Sequence, residues 1–160
     1  MTATRTPRQE PGQAAGEPAF QDAFDTLAAA IRRARGTRQD GRDALTLSQF
    51  SLLTPLADGS PRRVRELAQE AGIAASTATR ILDALERRAI IDRSRSDDDR
   101  RGVTVSLTTL GRAALARQET WMRRRQRAFY EQLPEVERVV APDLLVRLAA
   151  LIDEIAAGPA

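Results

Sequence analysis

The 160-residue chain contains no cysteine, no histidine and no lysine, and these absences remove most of the reactive side chains available to proteins. Without cysteine there are no disulfides, no thiolate zinc sites and no thiol redox sensing. Without histidine the commonest general base and the commonest transition-metal ligand are missing. Without lysine there is neither Schiff-base chemistry nor a P-loop lysine to hold a nucleotide phosphate. Catalysis would rest on Asp, Glu, Tyr130 and hydroxyls, and no paired-acid motif stands out, so an enzyme is not expected, nor a metal, nor a cofactor. No run of about 18 apolar residues is present, so no membrane span is expected. Residues 1–18 lack the apolar stretch of a signal peptide, which makes the cytoplasm the default location.

All 25 basic residues are arginine, set against 22 acidic ones for a net charge of +3. The high isoelectric point, near 10.7, follows because guanidinium does not titrate in the usual range. Genomic base composition accounts for an all-arginine chain. Guanidinium forks nevertheless suit phosphates and base edges. The hydrophobic fraction of 42% and the charged fraction of 29% are those of a globular domain, at a length sufficient to bury one core.

Hydrophobic periodicity divides the chain. Residues 1–18, rich in Pro, Gly, Thr, Gln and Ala, read as a disordered tail. Phe20, Ala23, Phe24, Leu27, Ala28 and Ile31 form one stripe of an amphipathic helix that Gly36 and the polar run to Asp43 end. Thr46 or Ser48 caps a short helix containing Phe50, Leu52, Leu53 and Leu56, and Pro55 predicts a kink or an early end. Asp58-Gly59-Ser60-Pro61 is a turn. Two closely spaced helices follow, 64–71 and 75–88, and then two short β segments, 90–93 and 103–107, that make a hairpin with a long tip. Thr108 or Thr109 caps a long helix to about Gln132, and Pro134 breaks it. The stretch Glu135 to Asp143, with Pro142, precedes a last helical stripe of Leu144, Leu145, Leu148, Leu151, Ile152 and Ile155. The fold class is mainly α with a two-stranded β-wing.

The middle of this order is a helix-turn-helix. Ala68 is small where two helices must cross, and Gly72 tolerates the positive φ of a tight turn. Ile73, Ala78, Ile81, Leu82 and Leu85 are spaced to seat the second helix. At about 100° per residue, Ser76, Arg80, Asp83 and Arg87 fall on the opposite side, flanked by Thr77 and Thr79. Short hydroxyls and arginine suit the base edges and phosphates of a major groove, so Ser76, Thr77, Thr79, Arg80 and Arg87 are candidate DNA contacts. The bland alternative is a solvated face with Ser76 and Thr77 as helix caps, and Asp83 on the same stripe weakens a purely electrostatic surface. At the hairpin tip, Arg95, Asp99, Arg100 and Arg101 are candidates for a minor groove, with Asp99 orienting Arg101. A mobile, self-neutralised loop is the alternative there. Arg123-Arg124-Arg125 and Arg127 read as a solvated face more than a contact site.

Phe20, Phe24, Leu27 and Ile31, together with Val139, Val140, Leu144, Leu148, Leu151 and Ile155, lack obvious partners within one chain. Two-fold pairing would cover them and set two recognition helices about one DNA turn apart. The expected organisation is a tail over 1–18, an N-terminal dimerisation helix over 19–44, a winged helix-turn-helix over 45–109 and C-terminal dimerisation helices over 110–157.

The blocks Leu47-Ser48-Gln49-Phe50, Arg65-Glu66-Leu67-Ala68, Ser76 to Glu86 and Asp99-Arg100-Arg101-Gly102 through Leu107-Thr108-Thr109-Leu110-Gly111 resemble the MarR family of bacterial regulators over about residues 20–157. The resemblance implies an obligate homodimer built from the first and the last two helices, a major-groove role for Ser76 to Arg80 and a minor-groove role for Arg101. It also implies a repressor of double-stranded DNA sites, released by a small, often aromatic or anionic, effector. Trp121 and Phe50 could line an effector pocket or simply pack. Pro55 and the stretch from Glu135 to Asp143 depart from the family pattern, and the cysteine- and histidine-based sensing branches are closed to this chain. The competing reading is a winged helix used only to bind protein; such modules usually lose the basic wing, whereas Arg80, Arg87, Arg100 and Arg101 are retained.

Overall fold

The computed structural model describes residues 16–36, 44–95 and 103–158, with backbone alone for Gly36 and Arg95. α1 (Glu17–Gly36) begins within the stretch that the sequence assigned to a tail. Pro18 sits in its first turn, where an N–H has no helical acceptor to lose. α2 (Leu47–Leu53) is capped by Thr46, whose hydroxyl accepts from the Gln49 amide while Gln49 Oε1 accepts from the Thr46 amide. Pro55 ends it early, and a single 3₁₀ turn, Thr54–Leu56, completes the segment.

α3 (Val64–Glu70) and α4 (Ala75–Arg87) form the helix-turn-helix. Both end in the same hydrogen-bond pattern, a Schellman motif. After α3, Gly72 N–H bonds to Gln69 O and Ile73 N–H to Ala68 O, with Gly72 at φ +62°. After α4, Ala89 N–H bonds to Glu86 O and Ile90 N–H to Leu85 O, with Ala89 at φ 54°. The second motif thus places a Cβ in the left-handed region that the first leaves to glycine.

Among the described residues the sheet has three strands, one more than the expected two-stranded wing. β2 (Ile91–Arg95) and β3 (Val103–Leu107) make the hairpin, and Arg62–Arg63, assigned to no element from the sequence, add a short β1 in the order β1-β3-β2. Arg62, Val105 and Arg93 lie opposite one another across the three strands. Directly paired residues share a face, so two arginines flank a fully buried valine on the core side. Each is ion-paired at its edge: Arg62 with Asp58 at 2.8 Å and Arg93 with Asp83 at 2.6 Å. The Ser60 amide and then the Arg62 guanidinium hold the Asp58 carboxyl below its ordinary pKa.

α5 (Thr109–Gln132) starts on the sheet. The Thr108 hydroxyl donates to Ala89 O at 2.7 Å and accepts from the Gly111 amide at 2.9 Å. A Cβ at Gly111 would run into the Ile90 carbonyl oxygen, so only glycine permits this approach. α6 (Glu135–Ala157) corrects the sequence reading, because Pro142 lies inside one uninterrupted helix. Pro142 is solvent-exposed, and the many remaining turns of a 23-residue helix offset its one lost hydrogen bond. The buried core runs from Leu45 to Leu115 and takes nothing from α1 or α6.

The two Schellman turns give a paired expectation. Ala89→Gly should raise stability by about 0.5–1 kcal/mol, because relief of the left-handed alanine outweighs the added unfolded-state entropy. Gly72→Ala should lower it by about 1 kcal/mol for the converse reason. Urea denaturation of the two variants measures both signs.

Candidate nucleic-acid interface

The seat of α4 decides which residues face outward. Ala78, Leu82 and Leu85 are fully buried and Ile81 packs against the same core. The opposite side exposes Ser76, Thr79, Arg80 and Arg87, with Thr77 half-buried at the margin. Ser76 and Arg80 are one turn apart, and Arg87 lies about 10 Å further along the axis. The structure therefore brings the five sequence-derived candidates of this helix onto one side and its edge. Neither Ser76 nor Thr77 is a cap: the N-cap is Ala74, without a side-chain hydrogen bond. The Thr79 hydroxyl donates to Ala75 O at 2.9 Å, which leaves its lone pairs as acceptors toward the outside.

Asp83, which weakened an electrostatic reading of this face, is not free. Arg93 of β2 donates to Asp83 at 2.6 Å and lies 3.5 Å from Glu86. One guanidinium thus engages both carboxylates of α4, offsets one of their two charges and ties the wing to the helix. Arg80 and Arg87 carry no partner among the described residues. The charge left on the outer face is consequently positive. Sequence reasoning placed Arg93 in the strand but missed this role. The only signal for it was the i, i+3 spacing of Asp83 and Glu86, one helical ridge ahead of the first arginine of the hairpin.

On the wing, Arg95 is opposite Val103 at the end of the described ladder, and the candidates Asp99, Arg100 and Arg101 lie outside the described residues. The outer face of the sheet carries Arg63, Thr104 and Ser94 in one row, with the two hydroxyls 3.1 Å apart. Trp121 and Phe50 do not share a described cavity: Phe50 packs against the core, and Trp121 is 55% exposed on α5. A cavity of about 360 Å³ lies instead between α1 and α6, walled by Phe24, Leu27, Ile31, Ile152 and Ile155. Among the described residues no carboxylate cluster could hold a metal ion, and no helix is long and apolar enough to cross a membrane.

A helix-turn-helix followed by a β-hairpin, with a hydroxyl-and-arginine face turned outward, defines a winged helix-turn-helix protein. Residues 45–103 match the MarR family. Over 73 residues the chain is 33% identical to the HTH-type transcriptional repressor YetL of Bacillus subtilis (strain 168), covering 44% of this chain and 44% of that protein. A probable transcriptional regulator from Pseudomonas aeruginosa superposes with a TM-score of 0.59 at 28% identity, over 81% of this chain and 93% of the other. The transcriptional repressor CouR, solved on a 23-mer DNA duplex, superposes at 0.55 with 29% identity and 88% coverage of both chains. The chain covers 40% to 50% of the length of the curated relatives it matches. The likeness to the MarR family is carried by residues 45–103.

Arg93→Ala should cost about 1 kcal/mol in urea at low salt, the upper end for a pair that is only half-buried. The loss should shrink in 1 M NaCl, where the Debye length falls to about 3 Å. A loss that is the same at both salt concentrations would assign Arg93 to packing, not to charge.

Proposed function

We propose that the chain is a sequence-specific DNA-binding repressor that acts on a pseudo-palindromic site as a homodimer. The carrying observation is the outer face of α4: Ser76, Thr79, Arg80 and Arg87 are presented to solvent while Arg93 occupies the two carboxylates that would repel phosphate. Arginine can fork onto guanine, and hydroxyls serve base edges or phosphates. Arg101, matched through the family resemblance, would follow a minor groove with Asp99, Arg100 and Arg95 beside it. The named activities of YetL and CouR favour repression.

Dimerisation is supported by what α5 and α6 leave uncovered. Phe129 is 63% exposed and Val136 78%, and no residue of α6 is buried. An apolar surface of this extent calls for a partner. A second copy, applied by a two-fold axis, covers the stripes of both chains at once and duplicates α4 at groove spacing. On this reading 19–44 and 110–157 are the dimerisation segments around the 45–109 reading head. A small-molecule effector that releases the DNA belongs to the same reading on the family resemblance alone.

Duplexes selected from a random pool should converge on an inverted repeat, with affinity falling steeply as salt rises. Arg80→Ala and Arg101→Ala should each weaken binding to the selected site by about 1–3 kcal/mol without unfolding the protein. Sedimentation should give the dimer mass. A monomer at micromolar concentration, or no duplex retained at low salt, would overturn the proposal and favour a protein-binding winged helix.

A further inference from the structure

Arg88 follows the last residue of α4 as its C-cap, at φ −90° and ψ 4°. A cation there could rest on the carbonyls of its own helix end. Its guanidinium instead spans 44 positions of sequence, donating through Nη2 to Ala44 O at 3.1 Å and through Nη1 to Gln49 Oε1 at 3.4 Å. Gln49 Oε1 is the same oxygen that accepts the Thr46 amide in the cap of α2. The preceding residue, Ser48, donates through its hydroxyl to Arg35 O in the last turn of α1 at 3.4 Å. These bonds form a continuous route from the C-terminal end of α1, through the N-terminus of α2, to the C-terminal end of α4.

We infer that Arg88 is a positioning residue: it couples the N-terminal helix that supports dimerisation to the helix that reads DNA, and so fixes the separation of the two reading helices in the dimer. The inference rests on the proposed role of α4. The wing holds α4 through Asp83 and Glu86, and the core holds it through its apolar side, but neither reaches α1. The Arg88 fork joins the end of α4 to Ala44 and Gln49, next to the Ser48 hydroxyl that bonds α1. A planar fork can serve a backbone carbonyl and an amide oxygen at once, which a lysine ammonium on a flexible stem does with less preorganisation. Contacts to charged donors are strong enough that their loss is felt as roughly a tenfold change or more.

The test compares Arg88→Ala and Arg88→Lys with the wild type on three duplexes: the full site selected from a random pool, that site with one base pair inserted between its halves, and an isolated half-site. Arg88→Ala is expected to bind the full site about tenfold more weakly and to lose its preference over the lengthened site, with half-site affinity changed less than about twofold. Arg88→Lys keeps the charge, so it should match the wild type on the half-site and remain weaker on the full site. A lysine variant equal to the wild type on every duplex would reduce Arg88 to a charge and overturn the coupling. A parallel loss on full and half sites would do the same. Hydrogen exchange in the absence of DNA separates this inference from the reading of α4. Arg88→Ala should speed exchange at residues 44–50 and in the last turn of α4 while β2 and β3 are unchanged. If that pattern appears but the wild type selects no duplex, the DNA-binding proposal fails and the joint stands; if exchange is unchanged, the joint fails. Should Arg88→Ala not fold, Arg88→Lys carries each comparison.

Discussion

Burial of one side of a 13-residue helix is the constraint on which the rest of the molecule depends. Ala78, Leu82 and Leu85 reach zero exposure in a core that includes Leu67 and Ala68 of α3 and Leu52, Leu53 and Leu56 before it. Each fully buried leucine contributes about 1.5–3 kcal/mol. That pins the rotation of α4 about its own axis, and the rotation alone determines that Ser76, Thr79, Arg80 and Arg87 face away. A slip of one residue would carry the helix through about 100° and turn Arg80 toward the core's edge.

Charge then refines what burial has placed. α4 carries Asp83 and Glu86 as well as its arginines, and on an isolated helix these would largely cancel. The hairpin folds back so that Arg93 takes both carboxylates, at 2.6 Å and 3.5 Å. The same bridge helps to set the wing against the helix. At the other sheet edge Arg62 and Asp58 form a local counterpart, and inward-facing charge of this kind discourages either edge from recruiting a further strand.

The core lies between Leu45 and Leu115, so the helices outside it contribute length and apolar surface but no enclosed interior. α1 and α6 border a cavity of about 360 Å³ within one chain. What the single chain encloses is the core of the winged helix-turn-helix. Between the last two helices, Arg138 donates to Tyr130 O and Glu131 O to close the turn from α5 to α6. Their outer faces, however, are left for another surface.

The elements themselves were legible in the sequence because their determinants are local. Period-3.6 stripes, Thr46 and Thr108 as caps, Gly72 in its turn and alternation through Val103 to Leu107 each depend on neighbours a few residues away. The outward-facing set on α4 was legible for the same reason, since a helix wheel needs only spacing. Pro142 misled because a proline's local cost outweighs everything else within a short window, whereas a long helix open to solvent absorbs it. Three features were decided only by the fold: the pairing of Arg62–Arg63 with β3, the capture of Asp83 and Glu86 by Arg93, and the reach of Arg88 to Ala44 and Gln49. Each joins residues whose separation in sequence carries no periodic signal. Their partners are selected by which surfaces burial has already brought within hydrogen-bond distance.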